Sequence, residues 1–293
     1  MHKTILGTGG IIVNFGQMHP VQVEELKPID PLLLGYIEMY KWISAKEPLT
    51  VRTIPNGRLD AWITLTGRFW WQHDATDEFQ ALPDSGFFPL TRLGNRAKTE
   101  KNFSCISIKI FPHALTLPVM ADQQLNQPLS FPEIFDSEAC STLAHHLHST
   151  SDPLEHRKYI DQFFAQELFR KGTPDQWMRD VITALEKGAA AQMTMMEIAE
   201  QNHVTIKTLE RRFKKVFGIS PKLFADLIRL QETAKNIRYD KHDSISHGDL
   251  VEALGFGYYD QSHFVKACKK ITGLTPKQLF TKLPGQVTDF LIE

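Results

Sequence analysis

The amino-acid sequence predicts an α+β chain, with a β-rich N-terminal part, a helical linker and an all-α C-terminal part. Three observations carry that reading. The first 120 or so residues hold short β-branched and aromatic runs set apart by turn signals, the mark of strands. After Pro132 the apolar residues recur at helical spacing instead. A segment beginning at Phe213 returns at Cys268, which divides the C-terminal part into two like units.

Among the strands, Ser104-Cys105-Ile106-Ser107-Ile108-Lys109-Ile110 alternates isoleucine with small or polar residues, the period of a half-buried strand. Residues 60–66 and 68–73 are β-branched and aromatic runs parted by Gly67, which suggests a hairpin. Pro55-Asn56-Gly57 is a turn signal after the run 49–54. Leu33, Leu34, Ile37, Tyr40 and Trp42 recur near helical spacing, so one helix is expected over 30–43. A small barrel or sandwich with a flanking helix follows. Two helices are then expected, over 137–147 and 152–171, the second opening with Asp152-Pro153 as N-cap and first-turn proline. Gly172-Thr173-Pro174 ends it and caps a helix to about 187, and Gly188-Ala189-Ala190-Ala191 makes a short joint. The expected division is 1–136, 137–172 and 173–293.

Composition bounds the function. The chain of 293 residues, 42% hydrophobic and 23% charged, suits about two globular domains and no disordered class. Apolar runs such as Pro31-Leu32-Leu33-Leu34 are far too short to cross a bilayer, and no signal peptide is read. Cys105, Cys140 and Cys268 are odd in number and widely spaced, which fits a reducing cytoplasm. The net charge of -1 hides a split, with 15 Lys/Arg against 12 Asp/Glu from Gly188 onward and 18 against 22 before it. A basic C-terminal part suits a polyanionic partner.

The repeat is the specific signal. Phe213-Lys214-Lys215-Val216-Phe217-Gly218-Ile219-Ser220-Pro221-Lys222 recurs as Cys268-Lys269-Lys270-Ile271-Thr272-Gly273-Leu274-Thr275-Pro276-Lys277, at an offset of 55 residues. In each copy a basic amphipathic helix ends at a glycine, and a Ser-Pro or Thr-Pro pair starts the next. A shorter helix is expected before each basic one, over 195–202 and 248–256. Short helix, tight turn and longer basic helix make a helix-turn-helix, whose second helix enters the major groove. Leu209 and Phe213 face the core of the first unit, leaving Lys207, Thr208, Arg211 and Lys215 outside. Phe264 and Cys268 do so in the second, leaving Gln261, Ser262, His263 and Lys266. Arginine bridges guanine acceptors and glutamine bridges adenine, while lysines suit phosphates. Residues 221–238 are expected as one rigid helix between the units.

At these residues the chain resembles the AraC/XylS family of transcription regulators. Leu209-Glu210-Arg211-Arg212-Phe213 with Gly218-Ile219-Ser220-Pro221 is similar to that family's first helix-turn-helix. Gly257-Tyr258-Tyr259-Asp260-Gln261-Ser262-His263-Phe264 is similar to the start of its second. The resemblance covers about 175–283. It implies a seven-helix module reading double-stranded DNA at two sub-sites, activation through RNA polymerase, and an N-terminal domain resembling a cupin barrel that binds a small molecule or dimerises. Three residues depart from the pattern. His203 stands where the first turn often has glycine, Cys268 where a core phenylalanine is usual, and Lys266 where arginine is frequent.

Other groupings point to less. Trp62, Phe69, Trp70 and Trp71 with Arg58 could line an effector pocket, Arg58, Trp62 and Trp70 being its candidates, although aromatic residues in strands are more often plain core. His145, His146 and His148 lack partners at ligand spacing, so no metal or cofactor is expected. Gly7-Thr8-Gly9-Gly10 precedes a strand rather than following one and makes a poor nucleotide loop. With no nucleophile elbow, zinc-protease helix or P-loop, no enzyme is read. A DNA-alkyl transfer fusion would need a reactive cysteine cluster, which Cys105 alone in an apolar strand does not supply. The expectation is a cytoplasmic DNA-binding regulator, monomer or homodimer, without a membrane segment. The alternative is a constitutive regulator whose N-terminal domain binds protein rather than ligand.

Overall fold

A computed structural model describes residues 2–5, 11–14, 21–72, 78–88, 96–114, 128–170, 176–191, 193–236, 255, 257–282 and 290–292. Two antiparallel sheets form the N-terminal domain. The larger holds β1 (His2–Ile5), β2 (Ile11–Asn14), β3 (Val21–Leu26), β4 (Ile37–Ala45), β6 (Leu59–Thr66), β9 (Ser85–Phe88), β11 (Phe103–Ile110) and β12 (Leu129–Ser130). Their order across the sheet is β1-β2-β3-β4-β11-β6-β9-β12. The smaller holds β5 (Thr50–Thr53), β7 (Phe69–Gln72), β8 (Phe79–Ala81), β10 (Arg96–Thr99) and β13 (Phe290–Ile292), in the order β13-β5-β10-β7-β8.

The helix expected over 30–43 does not form. Leu33–Gly35 make one 3-10 turn, and Ile37–Ala45 run as a central strand between β3 and β11. Ile37, Tyr40 and Trp42 are all buried, because a central strand is covered on both faces and loses the two-residue alternation. The hairpin expected around Gly67 is absent too. β6 pairs with β11 and β9, whereas β7 pairs with β10 and β8. At φ 76°, Gly67 carries the chain from one sheet to the other.

Helices α1 (Phe131–Ile134), α2 (Ser137–Ser149) and α3 (Pro153–Glu167) lie against the larger sheet. Asp136 and Asp152 cap α2 and α3, as polar N-caps before helical runs should. Buried Asp161 of α3 accepts hydrogen bonds from the Ile29 N–H (2.6 Å), the Asp30 N–H (2.9 Å) and the Tyr40 hydroxyl (2.7 Å). Trp42 Nε1 donates to His156 Nδ1 at 3.1 Å, while His156 Nε2 faces the Leu147 and Thr150 carbonyls. That pattern requires the neutral tautomer protonated on Nε2. The segment 137–167 thus packs onto the sheet through buried polar bonds.

The remaining helices are α4 (Gln176–Ala191), α5 (Met195–Gln201), α6 (Ile206–Phe217), α7 (Pro221–Asn236), α8 (Gln261–Thr272) and α9 (Pro276–Lys282). α4 continues through 188–191, where a joint was expected. Gly7–Gly10, Gly172–Pro174 and, apart from residue 255, the short helix expected over 248–256 lie outside the described residues.

One hydrophobic core runs from the larger sheet into α4–α8. The turn at 55–58 makes the joint. The Pro55 carbonyl accepts from Gln231 Nε2 at 3.3 Å, and a β-carbon on Gly57 would meet Ile228 Cδ1 at 2.6 Å. Arg58 donates to Glu38 (2.9 Å) on β4 and to Glu186 (2.7 Å) on α4, with its guanidinium 4.5 Å from the Phe111 ring centre. Burial alone opposes that charge, but the two carboxylates outweigh it and raise the Arg58 pKa.

Candidate nucleic-acid interface

The first unit is built by its caps. Thr194 and Glu197 form a capping box at the start of α5, the Glu197 side chain accepting the Thr194 N–H at 2.6 Å. α5 ends in a Schellman turn, with Val204 N–H bonded to the Ala199 carbonyl (3.0 Å) and His203 N–H to that of Glu200 (3.0 Å). Such a turn needs a left-handed residue after the cap, and His203 occupies it at φ 54°. Thr205 then caps α6, accepting the Thr208 N–H at 3.2 Å.

α6 buries Leu209, Phe213 and Phe217, four residues apart, against α7, where Phe224 lies 5.5 Å from Phe213. Spacing by four on the opposite face aligns Lys207, Arg211 and Lys215 in one exposed stripe. Thr208 is half-buried, its hydroxyl 3.0 Å from that of Thr205. Arg212 stacks over Trp177 of α4 at 3.8 Å and so braces α6 from behind. Gly218 closes the helix at φ 69°, and the Ser220 hydroxyl accepts the Leu223 N–H at 3.1 Å to start α7.

From the start of α8 onward, the second unit repeats this plan. Asp260 caps α8 through the His263 N–H at 2.7 Å, and Gly273 closes it at φ 73°. The Thr275 hydroxyl accepts the Gln278 N–H at 3.2 Å as α9 begins. Phe264, Cys268 and Thr272 are buried at the positions equivalent to Leu209, Phe213 and Phe217. The opposite stripe is Ser262, Lys266 and Lys270, all exposed, equivalent to Lys207, Arg211 and Lys215. Gln261 is half-buried at the first turn. His263 is tied to its own helix start, accepting the Tyr259 N–H on Nδ1 at 3.3 Å and meeting the Tyr258 ring edge-on at 5.6 Å. Lys270, which the 55-residue offset sets at the place of Lys215, is not among the side chains expected to face DNA.

α7 spans the units. Phe224 serves the first, and Arg229 lies 5.7 Å from the Tyr258 ring at the mouth of the second. Burial pushes the Cys268 thiol up to about 12, so it serves as a small apolar filler rather than a nucleophile.

Of the aromatic residues named for an effector pocket, Trp62, Phe69 and Trp71 gather around Phe88, with ring centres 4.3, 6.2 and 6.4 Å from its own, while Arg58 and Trp70 are held by other partners. Arg58 sits in the joint described above. Trp62 is buried in the larger sheet, its Nε1 donating to the Pro83 carbonyl at 3.0 Å. Trp70 lies in the smaller sheet beside Lys98, 5.5 Å from its ring. A cleft of about 560 Å³ opens elsewhere, between the larger sheet and the α2–α3 turn, lined among others by Gln22, Glu24, Trp42, Ser104, Thr150 and His156. His146 stacks on Tyr159 at 4.3 Å, and no cluster fit to hold a metal occurs among the described residues. No described helix is long and apolar enough to cross a membrane.

Two capped helices with exposed outward stripes, α6 and α8, are the build of a DNA-binding transcription regulator. Residues 198–282 match the family model described as a helix-turn-helix domain, and this C-terminal region is a helix-turn-helix domain of the AraC type. A 1.65 Å structure of ToxT from Vibrio cholerae is similar at a TM-score of 0.50 and 10% identity, over 84% of this chain and 98% of that one. Wild-type ToxT from Vibrio cholerae strain SCE256 with bound unsaturated fatty acid aligns at 0.49 and 10%, over 90% and 95%. The AraC-like transcriptional activator CuxR aligns at 0.35 and 12%, over 84% and 90%. No curated protein sequence matches the chain.

Proposed function

We propose that α6 and α8 read two sub-sites of one DNA site, entering successive major grooves about 34 Å apart. The observation that carries this reading is the repeated outward stripe, Lys207, Arg211 and Lys215 recurring as Ser262, Lys266 and Lys270 between matching caps. Arg211 stands mid-stripe, where a guanidinium can bridge the two acceptors of a guanine. Lys215 and Lys270, in the last turns, hold phosphates, while Thr208, Gln261 and His263 meet DNA at the helix mouths. Lys266 offers a single charged donor where arginine would offer a fork, so the second head is the less selective.

The N-terminal domain senses a small molecule or mediates dimerisation, and the protein activates transcription in the cytoplasm through contact with RNA polymerase. Support for sensing is the cleft beside Trp42, whose size suits a small ligand. A second reading, a constitutive regulator whose N-terminal domain binds protein, is favoured by the Arg58 joint that binds sheet to α4. A saturable thermal shift with a metabolite library supports the first; shifts only with protein concentration or a protein partner support the second.

The central test is selection of tight binders from random duplex DNA at moderate salt. Two preferred sub-sites about one helical turn apart are expected. One sub-site alone overturns base reading by α8, and recovery of random sequence overturns specific reading altogether.

A further inference from the structure

β5 of the N-terminal domain makes two contacts with the second reading head. Along one edge it pairs antiparallel with β13, Phe290 opposite Thr53, Leu291 opposite Arg52 and Ile292 opposite Val51. Residues 290–292 follow α9, so the chain leaving the second unit is bonded into the sheet of the other domain. From the same strand Arg52 reaches the end of α8, where a β-carbon on Gly273 would lie 3.7 Å from its Nη1. A helix end leaves carbonyls beyond its ladder, of which Lys269's here accepts the Gly273 N–H at 2.9 Å, and the negative end of the helix dipole favours a cation.

These contacts close a loop. α7 already links the heads, through Phe224 to α6 and through Arg229 to Tyr258 beside α8. A single helical link fixes distance but leaves rotation about its contact. The N-terminal domain supplies a second route. Arg58–Glu186 and Gln231–Pro55 hold it to α4 and α7, which back α6, and β5 then holds α8.

We propose that Arg52 and the strand Phe290–Ile292 are positioning elements that fix the orientation of α8 relative to α6, and hence which spacing of sub-sites the protein accepts. This rests on the two-head reading above. Arg52 acts at the far end of α8 from Ser262 and Lys266, so it sets the attitude of the head without touching the bases they face.

The test compares the full chain with a variant lacking residues 290–293, with Arg52→Gln and with Arg52→Lys. The probes are the selected two-site duplex, the same duplex with its second sub-site scrambled, and a series with base pairs inserted between sub-sites. The intact protein is expected to prefer the two-site duplex at one spacing. The truncated chain and Arg52→Gln should each lose about tenfold of that preference, the scale of one good base contact. They should also accept several spacings, with affinity for the first sub-site unchanged. Arg52→Lys, which keeps a cation at the helix end, should restore most of the preference. Wild-type preference and spacing in both altered proteins overturn the proposal. If the intact protein does not distinguish the two-site duplex from the scrambled one, the two-head reading falls and the proposal with it. A change that unfolds the domain would also abolish first-site binding, and the Gln/Lys pair at position 52 then decides the matter.

Discussion

In the first reading head the buried face of α6 presents Leu209, Phe213 and Phe217; in the second the same positions on α8 are Phe264, Cys268 and Thr272. The large and small residues have been exchanged, and the second set carries less apolar bulk. Its hydroxyl is satisfied locally, since Thr272 Oγ1 donates to the Cys268 carbonyl at 2.8 Å and accepts the Leu274 N–H at 3.1 Å. The caps, by contrast, fall at matching positions, and so do the outward stripes, where Ser262 stands for Lys207 and Lys266 for Arg211. Placement of the outward side chains therefore depends on the caps and helical phase, while the filling behind them can change. The head with less apolar filling is also the one in which Arg52 approaches the end of α8 and whose chain continues to β13, paired with β5.

The largest expected difference between the heads lies in that filling. Phe213 is fully buried and contacts Phe217 and Phe224, with ring centres 4.7 and 5.5 Å away. Phe213→Ala should cost about 3–5 kcal/mol, the range for emptying a buried aromatic site. Cys268→Ala removes one sulfur from an equally buried site and should cost only about 1 kcal/mol. Urea unfolding of both variants measures the contrast. Equal losses would mean that the two cores are equivalent after all.

A smaller contrast concerns recognition. Arg211→Ala should weaken binding to the selected site by about 1–3 kcal/mol and relax preference at one position. Lys266→Ala, at the equivalent place on α8, should weaken selected and random DNA alike and reduce the salt dependence of binding by about one charge. Titrations of both variants at several salt concentrations separate these outcomes. Equal loss on random and selected DNA for Arg211→Ala would make that arginine a phosphate contact, and the asymmetry between heads would vanish.

What the sequence disclosed and what it hid follow from the same physics. Caps, glycine stops and stripes are written within a dozen residues, so the repeat at an offset of 55 discloses both capped helices, α6 and α8. The strand Ile37–Ala45 overlaps the helix expected over 30–43, because burial on both faces removes the alternation that marks a strand. The crossing at Gly67 looked like a hairpin because strand partners are chosen far along the chain, β6 pairing with residues beyond 100. Arg58 suggested an effector, yet Glu186, which holds it, lies 128 residues away. The same holds for Arg52 and Gly273, which no local pattern could bring together. The outward stripes are local enough to see in the sequence, and the 55-residue offset places Lys270 with Lys215.

The finest difference between the heads lies in their approach turns. The second head places a glycine in the left-handed region before α8, Gly257 at φ 89°, whereas the first uses His203 at φ 54°. For a residue with a β-carbon that conformation costs about 1–2 kcal/mol. Glycine avoids the clash but adds unfolded-chain freedom, worth about 0.5–1 kcal/mol in the opposite sense. His203→Gly should therefore stabilise the first head by about 0.5–1 kcal/mol, the difference of those terms. The His203 side chain is exposed, so little contact is lost to mask the gain. His203→Val, whose branched side chain tolerates positive φ poorly, should destabilise instead. Thermal unfolding of the pair reads the sign directly. A glycine variant less stable than the parent would show that the imidazole makes up the strain by another route, and the turn would then cease to distinguish the two heads.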